Sequence, residues 1–136
     1  ELNSGEAALI FIDLDNFKYV NDHYGHKFGD TVLCYIAEQL KNVVADQAFI
    51  CRFGGDEFVA LLDSADKPLL ESICSALITP FRTPLFFDSK RIKIGLSIGV
   101  CIFDSEQESF SSVCQRADQA MYNVKNRGKN NYAFFE

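Results

Sequence analysis

Six apolar residues at strictly alternate positions, Ile92, Ile94, Leu96, Ile98, Val100 and Ile102, restrict the fold of this chain more than any other feature. A period of two belongs to a strand, in which successive side chains point to opposite faces; a helix would scatter these positions around its axis. A strand this long needs sheet partners, and other runs supply them. Ala7 to Ile12 is continuously apolar, as suits a strand buried on both faces in mid-sheet. Ala48 to Cys51 and Phe58 to Leu62 flank Arg52-Phe53-Gly54-Gly55-Asp56-Glu57 and read as a hairpin. Its paired glycines imply either positive φ or a close backbone approach at the tip. Phe86 and Phe87 pair across an Asp88-Ser89 turn with the alternating run.

Between the strands lie helical patterns. Asn16 to Asn21 forms a short helix with Phe17 and Val20 inward and Lys18 exposed. Asp22 to Asp30 reads as a loop, with Asp30 capping a helix that runs to about Val44 and buries Leu33, Ile36, Ala37, Leu40 and Val44. Pro68 opens a helix with Leu70, Ile73, Cys74 and Leu77 on one face, and Pro80 stops it. A last helix from about Phe110 to Arg127 carries Val113, Ala117, Ala120, Met121 and Val124 inward and ends at Gly128. These elements predict an α+β fold, a mainly antiparallel sheet of about five strands with flanking helices. At 136 residues and 48% hydrophobic, residues 1–136 make one domain with one real core.

Composition excludes several functions. A net charge of -6 argues against a nucleic-acid groove, which needs a basic face. Cys34, Cys51, Cys74, Cys101 and Cys114 show no Cys-x-x-Cys spacing and sit in apolar runs, so they read as buried, reduced thiols of a cytoplasmic protein. His23 and His26 lack the partners of a zinc site. No apolar run approaches the roughly 20 residues that span a bilayer, and no signal-peptide pattern opens the chain. The chain begins at Glu1 rather than methionine, so a longer protein with a membrane anchor is compatible with it.

The chemistry-bearing residues lie at strand ends. Asp13-Leu14-Asp15 places two carboxylates on one face where the first strand exits, with the Leu14 carbonyl also in reach of a cation. The plainer alternative makes Asp15 the cap of the next helix and Asp13 merely polar. Asp56 and Glu57 follow the Gly-Gly turn on opposite faces, so one looks into a pocket and the other flanks it. Acids beside glycine-thinned backbone suit a phosphate with a hard cation, and the free amides of the short helix add to that. Lys125 and Lys129 either complement the last helix dipole or meet an anion.

Gly54-Gly55-Asp56-Glu57-Phe58 resembles the signature of the GGDEF family, the diguanylate cyclase catalytic domains. Phe11-Ile12-Asp13-Leu14-Asp15-Asn16-Phe17-Lys18, then Asn21-Asp22, Gly25-His26 and Gly29-Asp30, resemble the family's first block, and Ala117 to Tyr122 with Lys125 and Gly128-Lys129-Asn130 resemble its last. The resemblance implies a nucleotidyl-cyclase or polymerase-palm fold in which a homodimer condenses two GTP into cyclic di-GMP and releases two pyrophosphates. It implies Mg2+, two ions per GTP site with Mn2+ as a substitute, on Asp13, the Leu14 carbonyl and Asp56. It implies that Asn21 and Asp30 read the guanine edge, that Phe17, Lys18, His26 and Gly55 lie beside the substrate, and that Lys125 and Lys129 contact the triphosphate. Either Glu57 or Asp56 assists deprotonation of the attacking hydroxyl.

Departures from the family pattern also carry information. Arginine is commoner in the family at the position of Lys129. A leading helix and a Leu-Thr-Gly-Leu-x-Asn-Arg motif are missing from Glu1 to Ala7. Many members carry an Arg-x-x-Asp product-binding motif where this chain has Ala45-Asp46-Gln47-Ala48. Further sensory or membrane domains are expected in the whole protein. A silent GTP- or cyclic-dinucleotide-binding regulatory module is the competing reading, and a cyclase for another nucleotide is disfavoured by Asn21 with Asp30.

Overall fold

The structure is a computed structural model that describes residues 5–136. In chain order its elements are β1 (Glu6–Asp15), α1 (Phe17–Tyr24), α2 (His26–Val44), β2 (Phe49–Arg52), β3 (Glu57–Leu62), α3 (Lys67–Ile78), β4 (Leu85–Phe87), β5 (Lys90–Ile92), β6 (Gly95–Asp104), α4 (Phe110–Lys125) and β7 (Asn131–Phe134). Five strands form one sheet in the order β2-β3-β1-β6-β7, and β4 with β5 forms a separate hairpin. Three of the sheet pairings are antiparallel, whereas β6 and β7 run parallel. The sheet is therefore mixed. Strand β7 escaped the sequence pattern because its four residues, Asn131 to Phe134, have no apolar alternation. The expectation about the segment before β1 falls largely on residues 1–4, outside the described residues.

Alternate residues of β1 serve two cores. Ala8, Ile10, Ile12 and Leu14 pack beneath α1, α2 and α3, while Leu9 and Phe11 meet Val59, Cys101 and α4. Burial on both faces is why the Ala7 to Ile12 run lacks polar alternation. The alternation of β6 has a different origin. Its large residues, Leu96, Ile98 and Val100, face the first core, and the small Gly95, Ser97, Gly99 and Cys101 make room for α4 on the other side. A Cβ on Gly99 would collide with the Ala117 carbonyl and the Met121 amide. The long alternating run is also interrupted: Ile92 closes the β4-β5 hairpin, and β6 begins only at Gly95.

Two other expectations change. Residues 22–30 are mostly helical rather than a loop, because Gly25 at φ 93° separates α1 from α2 in a single step. Asp30 thus lies inside α2 and does not cap it. Cys34 and Cys51 are exposed, unlike the buried Cys74 and Cys101: Cys34 lies off the buried stripe of α2, and Cys51 belongs to the edge strand β2. Among the described residues no helix is long and apolar enough to cross a membrane.

Candidate active site

The exit of β1 sets Asp13 and Asp15 two residues apart on the face toward α4. Asp15 is 2% exposed and accepts hydrogen bonds from Ser97 Oγ at 2.7 Å, Lys125 Nζ at 2.8 Å and the Asn130 amide at 2.9 Å. It is not the cap of α1. That position belongs to Asn16, held at φ 70° without a side-chain capping bond. Asp13 is treated differently. Its Oδ2 lies 3.6 Å from Lys125 Nζ, and its buried Oδ1 has no hydrogen-bond partner among the described residues. Burial raises the Asp13 pKa to about 6; Lys125 opposes the rise, and the charges of Asp56, Glu57 and Asp15 add to it. Burial also works against the Lys125 charge, but the Asp15 hydrogen bond and the two carboxylates prevail and raise its pKa.

The hairpin between β2 and β3 is tied to this point. The Leu14 amide donates to the Asp56 carbonyl at 3.0 Å, and the Phe53 amide donates to the Glu57 carbonyl at 2.7 Å. Arg52 clamps the tip from within, its Nε donating to the Gly54 carbonyl at 3.0 Å and its Nη2 to the Gly55 carbonyl at 2.7 Å. Neither Gly54 nor Gly55 has positive φ. What Gly54 supplies is close approach, since a Cβ there would stand 2.6 Å from Glu57 Oε1, while the space beside Gly55 is open. Glu57 lies opposite Asp13 in the strand register and so shares its face. Burial, then Asp56 and Asp118, raise the Glu57 pKa against the pull of Lys125.

Asp56 looks the other way, into a cavity of ≈ 420 Å³ between the hairpin, α1 and α2. Phe17, Lys18, Asn21, His26, Asp30 and Gly55, proposed from sequence as substrate-side residues, all line this cavity with Asp56. Gly29 lets the Asn21 side chain reach its place, because any Cβ there would overlap Asn21 Oδ1. Lys18 is spent on an exposed pair with Asp22 at 2.8 Å. Lys125 and Lys129 do not line this cavity. Lys125 sits between Asp13 and Asp15, and Lys129, exposed at φ 65°, borders a smaller cavity of ≈ 130 Å³ with Asn16, Gly95 and Asn130.

Sequence reasoning missed Arg52 as the clamp of the hairpin and as a wall of the cavity. Its position two residues before Gly-Gly was the available signal. It also missed Asp15 as a structural hub, whose partners lie 82, 110 and 115 residues away and leave no local trace.

The donor set suits a hard cation. An orphaned carboxylate oxygen on Asp13, a carbonyl at Leu14 and the nearby Asp56 are oxygen ligands of the kind Mg2+ accepts, with phosphates and water completing its shell. Among the described residues no group of three or more His, Cys, Asp or Glu side chains forms a metal cage by itself. An ion held chiefly by substrate phosphates does not require one.

The fold and site define an α+β domain with a five-stranded mixed sheet and acids at the exit of its central strand. Residues 2–131 match the family described as diguanylate cyclase, GGDEF domain, and the chain belongs to that family. It is 36% identical over 129 residues to the bifunctional diguanylate cyclase/cyclic di-GMP phosphodiesterase MucR of Pseudomonas aeruginosa, covering 95% of this chain and 19% of that protein. The chain thus spans about a fifth of the length of such relatives. Among solved structures, an EAL/GGDEF domain protein from M. capsulatus is similar with a TM-score of 0.87 at 36% identity, covering 100% of this chain and 88% of that one. The active GGEEF domain of a diguanylate cyclase from Vibrio cholerae gives a TM-score of 0.83 at 31% identity, covering 96% and 83%.

Proposed function

We propose that this domain is the catalytic part of a diguanylate cyclase, which condenses two GTP into cyclic di-GMP with release of two pyrophosphates. One observation carries the reading: Asn21, Asp30 and Asp56 line one cavity whose mouth is bonded to the strand end that holds the orphaned Asp13 oxygen. Asp30 accepts from the ring N–H and exocyclic amine of guanine, and the Asn21 amide offers a donor and an acceptor to the same edge. Asp13, the Leu14 carbonyl and Asp56 would hold Mg2+, two ions per site, and the ions would supply charge stabilisation for the oxygens of the displacement.

Glu57 stands beside Asp13 with its pKa raised, a suitable group to take the proton of the attacking 3′-hydroxyl. Lys125, held between the two aspartates, faces the negative end of the triphosphate, and Lys129 meets it from the turn. Because each domain offers one such cavity, the active species is a homodimer with facing sites. Its dimerisation is controlled by further domains of a longer protein, working in the cytoplasm where GTP is supplied.

Chromatography of products after incubation with GTP and Mg2+ tests the reading, on the 136-residue chain and on the same chain joined to a dimerising coiled coil. Two pyrophosphates for each cyclic di-GMP support it. GTP binding with no product from the coiled-coil form assigns the domain to silent regulation. In the same assays Asn21→Ala and Asp30→Ala should each weaken GTP about tenfold more than ATP, since alanine removes hydrogen bonds that the guanine edge makes and the adenine edge does not. Equal losses for both nucleotides would remove these residues from base recognition.

A further inference from the structure

We propose that the cleft between α1 and the β4-β5 hairpin is a second ligand site, for a nucleoside monophosphate, separate from the cavity that holds Asn21 and Asp30. The cleft has a volume of ≈ 360 Å³, large enough for one base, ribose and phosphate. Val20 and Ile92 form its buried floor. Tyr19 and Tyr24 form an aromatic wall, and Arg91 and Lys93 rise from the hairpin opposite.

The wall is pre-built. Tyr19 stacks on His23 at 5.1 Å and 11°, His23 meets Tyr24 edge-on at 4.6 Å, and Tyr24 leans on Phe28 at 5.0 Å. Phe28 in turn contacts Phe87 of β4, so one row of rings joins α1 to the hairpin. Tyr19 is 60% exposed and borders the cleft, so its ring is accessible to a flat ligand.

The charge is equally out of place. Residues 82–93 hold Arg82, Lys90, Arg91 and Lys93 against the single Asp88, in a chain of net charge -6. Among the described residues none of these four cations is in an ion pair. Among the described residues Lys93 Nζ donates only to the Arg82 carbonyl at 3.3 Å, and no carboxylate lines the cleft. Cations without carboxylate partners beside two tyrosine rings match a ligand with a planar π-system at one end and a phosphate at the other. Asn16, at the rim, adds an amide that can donate and accept. Helix α1 thus presents Phe17, Lys18 and Asn21 to one cavity and Tyr19, Val20 and Tyr24 to the other.

The test is titration of the 136-residue chain with adenosine 5′-monophosphate, followed by calorimetry and by amide NMR shifts. Expected is saturable binding at millimolar or lower concentration, with shifts centred on Tyr19, Tyr24 and Arg91. Arg91→Glu should weaken it by about tenfold or more, the loss of one charge-assisted hydrogen bond, and Tyr19→Ala should do likewise. Both side chains are exposed, so these variants keep the fold. Asp30→Ala, in the other cavity, should bind as the parent does. Absence of saturation at millimolar ligand, shifts centred on Asn21 and Asp30, or an unchanged Arg91→Glu affinity would each overturn the proposal. So would equal affinity for inorganic phosphate alone, because the rings would then contribute nothing.

Discussion

Two carboxylates, two residues apart on one face of β1, have opposite fates. Asp15 has every role filled by the protein: a hydroxyl, an ammonium and a backbone amide converge on it, and it is closed to solvent. Asp13 shares the same lysine at a longer distance and keeps an oxygen with no partner. A buried carboxylate fully hydrogen-bonded supports the fold, whereas one left short costs stability and keeps coordination free for something else. The pair therefore separates architecture from chemistry within a single strand end.

The contrast breaks first at Asp15. Asp15→Ala strands Lys125 and unties the Asn130 turn from β1, with an expected loss of about 3 kcal/mol or more in urea unfolding. A variant that unfolds at the wild-type urea midpoint would show that Asp15 is not the hub. Asp13→Asn should act in the opposite direction. With the pKa raised from 3.8 to about 6, the folded state holds a proton that the unfolded state has already released. Stability from this group is thus fully present below 3.8 and is lost as pH rises through 6. The metal-free protein should lose up to about 3 kcal/mol over that window, and Asp13→Asn should lose nothing there through this position. Mg2+ binding to the parent should weaken as pH falls below 6. A thermal-shift series across pH, with and without Mg2+, reads both effects.

A third intervention sharpens the chemical side alone. Glu57 is raised in pKa by burial and by Asp56 but has no hub of its own. Glu57→Gln should leave the unfolding midpoint and nucleotide binding nearly unchanged while slowing turnover by about 10²-fold. If turnover under saturating GTP is retained, the proton acceptor is another group.

How far the sequence disclosed this division depends on the range of each interaction. The β1 run, the Gly-Gly hairpin and the helix stripes are local periodicities, and they were legible. So was the gathering of Asn21, Asp30 and Asp56, but through the spacing of a family pattern rather than any local rule. Asp15 was not, because its three partners come from β6, α4 and the turn before β7. The alternation identifies a strand over Gly95 to Ile102 but not the break at Lys93-Ile94, and its cause is the large-small packing that α4 imposes at Gly99, which only the tertiary structure displays. The parallel β7 was invisible for a related reason: a short edge strand needs only backbone pairing with β6 and carries little apolar signal of its own.

The smallest expected effect is an absence, at the far end of α2. Residues Ala45 to Ala48 occupy the window where many family members carry Arg-x-x-Asp. Asp46 lies two positions before Ala48, where the motif has its carboxylate. Ala45–Gln47 is a 3-10 turn rather than a strand, so side-chain alternation does not decide what Asp46 can reach. Ala45 ends α2 at φ 47° and ψ -124°, its amide donating to the Lys41 carbonyl, and a methyl at this position offers no group to grip phosphate or guanine. Asp46 is left as an exposed acid with no arginine beside it in the window. Cyclic di-GMP should therefore not bind at this surface at micromolar concentration. Calorimetric titration with the Asp30 cavity filled by a non-hydrolysable GTP analogue measures this, and micromolar binding that disappears in Asp46→Ala would show that the turn has found another way to hold the dinucleotide.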